Sequence, residues 1–155
     1  KYKVRAYEGG IATPLIISWP EVLGKYSNQI RRNVGFVPDI MATFVEVARA
    51  EYPTTYHDGN SIIPMAGTSL MSTVHNPDKQ IHEYIFGEHF NNFVRWKNWK
   101  AVKDEKMKEW ELYDIEKDRT EWNNVAAEYP DVLKKMVRKW EEWANECYIF
   151  PKRLN

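Results

Sequence analysis

Cysteine is nearly missing from this chain: its 155 residues include one, Cys147. A single cysteine excludes an internal disulfide, and no Cys/His group has the spacing of a zinc site. Cys147 falls late in an amphipathic segment, where a small buried apolar residue is expected rather than a nucleophile. Charge of one sign is missing too, since 22 Lys and Arg balance 22 Asp and Glu. That balance argues against a nucleic-acid binder, which draws its affinity from basic side chains on phosphates. No apolar run approaches the roughly 20 residues that span a bilayer. The first residues carry no signal-peptide pattern. Runs of paired Asp are absent as well: Asp39, Asp58, Asp78, Asp104, Asp114, Asp118 and Asp131 are scattered, so no oxygen-rich site for a hard cation is legible. No metal site is expected in this chain, and nothing in the composition fixes a location.

Aromatic residues, by contrast, are plentiful, with 7 Trp, 9 Tyr and 6 Phe. Such a load suits a small layered core, a carbohydrate-facing surface, or both. The chain is 43% hydrophobic and 28% charged, an ordinary globular balance. Its length fits one domain, or one domain plus a piece of another.

The hydrophobic pattern divides the chain into three blocks. In block 1–50, "IATPLIISWP" (11–20) reads as a buried strand closed by Pro20. "VPDIMATFVEVARA" (37–50) reads as a helix with Pro38 at its first position and Ile40, Phe44, Val47 and Ala48 on one face. Block 51–80 holds Pro53, Gly59, Pro64, Gly67 and Pro77 and reads as a long connecting loop. Block 81–155 opens with short aromatic and β-branched runs, "HEYIFGEH", "NNFVRWK", "NWKAVKDE" and "EWELYDI". Turns are expected at Asn91-Asn92, at Lys97-Asn98 and in "KDEKMKE", giving an antiparallel meander of about four strands. "DVLKKMVRKWEEWANECY" (131–148) is the clearest helix, with Leu133, Met136, Val137, Trp140, Ala144 and Cys147 in one stripe facing the sheet. The expected class is α+β. A lone strand and helix cannot cover their own apolar surface, so block 1–50 is expected to finish a larger α/β sheet and to drive self-association through an exposed apolar face near 11–19 and 40–48.

Five segments in order resemble the C-terminal part of sulfatases of the arylsulfatase type, in the alkaline-phosphatase-like superfamily. They are Lys3 with Tyr7-Glu8-Gly9-Gly10 and Trp19-Pro20; the helix with Asp39 and Thr43; the loop with Gly59, Pro64, Gly67, Ser69 and Leu70; "VRWKNWKAV"; and "ELYDIEKDRTEWNNVAAEYP". Ala12, Glu21 and Ala42 stand where that family often has Arg, Gly and Pro. The resemblance implies hydrolysis of sulfate esters by a formylglycine nucleophile, with calcium polarising the sulfate oxygens. Neither belongs to this chain, which has no Cys-x-Pro-x-Arg motif. Both are therefore expected in a longer parent, with the isolated chain inactive. A periplasmic or secreted location is a further implication of the resemblance alone.

By resemblance, Lys3 matches the family's sulfate-contacting lysine, whose ammonium offers a compact charge with rotatable donors. Gly9 and Gly10 are expected to turn the backbone tightly beside the site. His89 and Arg95 are the candidate substrate-binding residues, against the plainer readings of a packed histidine and a salt bridge. Trp96, Trp99 and Trp110 suit a sugar-stacking platform or the packing face of the sheet. His57, His75 and His82 are expected in solvent. The expected partners are the rest of the parent chain and a sulfated small molecule or glycan. Two alternatives stay open: a non-catalytic carbohydrate-binding or interaction module, and part of a phosphodiesterase or phosphonate hydrolase of the same superfamily.

Overall fold

A computed structural model describes residues 3–149. The chain divides into two units, one formed by residues up to Leu15 together with those from Tyr84 onward, the other by Ile16–Glu83.

The first unit is built on a four-stranded antiparallel sheet in the order β1-β2-β3-β4. The strands are β1 (Tyr84–His89), β2 (Asn91–Trp96), β3 (Trp99–Asp104) and β4 (Glu111–Asp114). Each pairs with the next as a meander, through Phe86↔Val94, Val94↔Ala101 and Ala101↔Leu112. Alternation sends successive side chains to opposite faces. One face carries Phe86, Val94, Trp96, Trp99, Ala101 and Leu112 against the C-terminal helix. The other carries Asn91, Phe93, Arg95, Lys100, Val102, Asp104 and Tyr113, following the register Asn91↔Asp104, Phe93↔Val102, Arg95↔Lys100 and Lys100↔Tyr113.

Lys97 and Asn98 make the expected tight turn, with Lys97 at φ 55°. Asn91 and Asn92 do not form a turn. Both lie in β2, and the chain reverses at Phe90, at φ 56°. Asn91 is drawn into the strand because its side chain is buried and its Nδ2 reaches the Val4 carbonyl.

The long helix runs over Pro130–Glu146. Pro130 sets φ for its first turn without losing a hydrogen bond, and Asp131 complements the positive end of the helix dipole. Met136, Trp140 and Ala144 are buried against the sheet. Trp140 also donates its indole N–H to the Gly87 carbonyl at 3.2 Å. Cys147 departs from expectation: it is exposed at the C-cap, because the helix ends at Glu146 and the stripe does not continue.

The expected strand at 11–20 is not formed. Residues 8–11 make a single helical turn, α1 (Glu8–Ile11), that takes in Gly9 and Gly10. The segment that follows pairs with none of the four strands, and Pro20 opens another turn, α2 (Pro20–Leu23). Without a ladder partner, an apolar run cannot be a strand or bury its side chains. Leu15, Ile16 and Ile17 are accordingly exposed.

The second unit contains α2, a 3-10 turn, α3 (Pro38–Val47) and α4 (Met71–His75). Pro38 starts α3 as expected, but the buried side chains are Asp39, Ala42 and Thr43, while Phe44 is 62% exposed. The polar face is inside because the loops around α3 need acceptors. Asp39 accepts from the backbone N–H groups of Phe36 and Thr68, and Thr43 Oγ1 accepts from Leu70 N–H. Block 51–80 is irregular apart from α4 and an isolated bridge between Thr55 and Ser61.

Candidate functional site

The polar face of the sheet is covered by the segment that follows Lys3. Arg5 Nη1 lies 3.0 and 2.9 Å from the two carboxylate oxygens of Asp104 at the end of β3. The buried Tyr7 donates its hydroxyl to Glu111 at the start of β4 and stacks edge-on against Tyr113. Burial and then the Glu111 carboxylate push the Tyr7 phenol well above its usual range, so it stays a donor.

Glu8 completes the attachment. Lys100 Nζ donates to Glu8 Oε1 at 2.9 Å and lies 2.9 Å from Glu121 Oε1. The Glu8 backbone N–H donates to Glu121 Oε2 at 2.6 Å. The Lys100 side chain is 1% exposed, and those of Glu8 and Glu121 are 9% and 2% exposed. Burial pushes the Glu121 carboxyl above its ordinary range against the opposing pull of Lys100. Two carboxylates and one ammonium are thus held out of water, with the Arg95 guanidinium adding a second cation 3.7 Å from Glu8 Oε2.

Glu121 is aimed inward by the loop that carries it. Asp118 Oδ2 accepts from the N–H groups of Trp122 and Asn123, and its Oδ1 accepts from the Thr120 hydroxyl. Glu121 itself sits at φ 55°.

A groove of about 470 Å³ opens at one end of the sheet, bordered by the β1–β2 turn, the β3–β4 connection and α5 (Pro130–Glu146), and lined by residues that include His89, Asn92, Lys103, Asp104 and Trp110. Lys3 and His89 are both exposed. They come to the same end of the sheet, because Arg5 is paired with Asp104, which shares the groove with His89. Arg95 is separate, toward the other end of β2 and turned to Glu8. Trp96 and Trp99 pack on the apolar core, and Trp110 lies edge-on to Trp140 while facing the groove.

His82, expected in solvent, instead sits 2.9 Å from both Asp39 oxygens, with Phe36 edge-on to its ring. A buried carboxylate that already serves two amides can take a third donor, and His82 supplies it. His75 contacts the Tyr26 hydroxyl. Among the described residues, no group of three or more His, Cys, Asp or Glu side chains is placed to hold a metal ion.

The ring of Glu8, Lys100 and Glu121 was not legible as a site. Its signal was a lysine inside "NWKAVKDE", where alternation puts Lys100 on the same face as Val102, but Glu8 lies 92 residues before Lys100 and 113 before Glu121.

Residues 2–146 match the family described as N-sulphoglucosamine sulphohydrolase, C-terminal. The chain belongs to this sulfatase C-terminal family. An uncharacterized sulfatase of Schizosaccharomyces pombe is 31% identical over 86% of this chain and 25% of its own length. An N-acetylglucosamine-6-O-sulfatase of Bacteroides thetaiotaomicron is 27% identical over 88% of this chain and 25% of its own length. The solved structure of a 2-O GAG sulfatase shares the fold with a TM-score of 0.58 at 22% identity, over 76% of this chain and 26% of that one. The chain thus spans about a quarter of the length of the relatives it matches. The sulfatase C-terminal fold, a four-stranded antiparallel sheet with helices, is the α+β class expected from the sequence.

Proposed function

We propose that this chain is the C-terminal part of a sulfatase that hydrolyses sulfate esters, that it offers Lys3 to the sulfate and shapes the substrate pocket with His89, and that it does no chemistry alone. The family match over residues 2–146 carries this reading. The attachment of the Lys3 segment to the sheet supports it, since a lysine that must meet an anion repeatedly needs a fixed base. An ammonium beside the ester stabilises charge that grows on oxygen as the bond to sulfur breaks. His89 and Lys103 line the groove and would read the groups around the sulfate. Arg95 is left out of the pocket on this reading, because it stands at the other end of β2 as a cation beside Glu8, 3.7 Å from its Oε2.

On this reading the formylglycine nucleophile and calcium come from the rest of the parent, which is also this chain's partner. A sulfated glycan is the favoured substrate class, because the family description and one relative both name sulfated amino sugars. The test is sulfate release from para-nitrophenyl sulfate and from N-sulfated or 6-O-sulfated glucosamine. The full-length protein is expected to release sulfate and the isolated chain to release none. Turnover by the isolated chain above a metal-stripped control overturns the assignment of the chemistry to the rest of the parent.

A further inference from the structure

We propose that Asp104, Lys100 and Glu121 are positioning residues for Lys3, acting through Arg5 and Glu8. This inference rests on the reading of Lys3 as the sulfate contact. The segment before α1 is fixed at two points. Asp104 holds the Arg5 guanidinium, two residues from Lys3. Lys100 and Glu121 hold Glu8 in a closed ring: Lys100 on its carboxylate, Glu121 on its backbone N–H, and Lys100 against Glu121. The ring therefore fixes both the side chain and the main chain of one residue, which sets orientation as well as place.

Stability alone is a poor account of this arrangement. Burying an ion pair costs desolvation that a well-packed apolar cluster of the same volume avoids. What charged, directional contacts add is a single geometry. The apolar side of the same sheet shows how this fold secures an element when only packing is needed: α5 is held through Met136, Trp140 and Ala144. The Lys3 segment packs Ala6 and Tyr7 on Val102, Tyr113 and Ile115 as well, and to that packing it adds Arg5–Asp104, Tyr7–Glu111 and the Glu8 ring, which fall within four consecutive residues just after Lys3. A displacement of about 1 Å at a charge that must meet an anion costs up to a hundredfold.

The experiment is a mutant cycle in the full-length protein, with the dissociation constant of inorganic sulfate as readout and para-nitrophenyl sulfate turnover beside it. Lys3→Ala, Asp104→Asn and Glu121→Gln are made singly, and each of the last two is combined with Lys3→Ala. Asp104→Asn and Glu121→Gln are each expected to weaken sulfate binding about tenfold. In the Lys3→Ala background they are expected to have no further effect, because they act through Lys3. A purely structural role would lower binding equally in both backgrounds, and that additivity overturns the positioning proposal while leaving the Lys3 reading intact. Unchanged sulfate affinity in Lys3→Ala overturns the Lys3 reading itself, and the proposal with it. Should Glu121→Gln fail to fold, Arg5→Lys serves the same cycle, since the Arg5 side chain is a third exposed. Glu142→Gln, on the far side of α5, is the control expected to bind sulfate as the unchanged protein does.

Discussion

Single residues carry more of this structure than their sequence neighbourhoods suggest. Gly67 is one: a Cβ there would stand 2.1 Å from the Pro38 carbonyl oxygen and 2.7 Å from the Asp39 nitrogen. Backbone cannot step aside as a side chain can, so Gly67→Ala is expected to destabilise the chain by about 3 kcal/mol, read as a lower denaturant midpoint at unchanged slope. Asp118 is another. The Asn123 N–H, the Thr120 hydroxyl and the Trp122 N–H hold its carboxyl below the ordinary 3.8. A depressed folded value means that its stabilisation is complete above 3.8 and disappears as pH falls through the folded value. Glu121 has the opposite sign: burial raises it above 4.5, so its linkage favours the fold below 4.5 and that gain is lost as pH rises through the raised value. An NMR titration is expected to place the Asp118 midpoint below 3.8, and a midpoint at or above 3.8 would show that the loop does not hold Glu121 in the way described. The Tyr7-Glu8-Gly9-Gly10 segment after Lys3 was legible as a motif. The ring was not, because ion pairing between residues 92 positions apart leaves no local pattern.

Elements were more legible than contacts. The meander and the long helix followed from period-2 and period-3.6 patterns, and both were found where the patterns put them. The helix holds the sheet through side chains whose loss should be costly. Met136 is fully buried, so Met136→Ala is expected to cost about 2–5 kcal/mol through the cavity it leaves. Glu142, paired with Lys139 and Arg138 on the exposed face, should cost far less when neutralised, because solvent screens its ion pairs. Chemical denaturation of the two variants checks this ordering, and equal losses would mean that α5 is held by its outer face. The pattern misled where burial depends on what packs outside the element. The α3 stripe through Ile40 and Phe44 has the right spacing, yet the inward face is Asp39, Ala42 and Thr43, because loops on that side supply amides rather than apolar atoms. Periodicity reports two faces; it does not say which of them is wanted inside when the neighbour is irregular backbone.

At the scale of the whole molecule, the apolar side chains left in water become the question. Ile16 is 88% exposed, Leu15 54%, and in α3 Met41 is 55% and Phe44 62% exposed. Isolated exposed apolar residues are ordinary, but a run of them on unpaired extended backbone offers both hydrophobic area and free ladder positions. On the reading proposed above, the rest of the parent would cover that run. The isolated chain has no such cover, and we expect it to associate with itself. Light scattering over a rising concentration series should show mass growing beyond the 18.4 kDa of one chain. Ile16→Lys breaks the apolar run and places a charge on the unpaired segment, so it should shift the equilibrium toward monomer; Phe44→Asp tests α3 in the same way. If only Phe44→Asp acts, association runs through the helix and not by strand pairing. A clean monomer at high concentration in the unchanged chain would mean that the exposed run is too mobile or too small to pair, and that its apolar character serves some contact other than self-association.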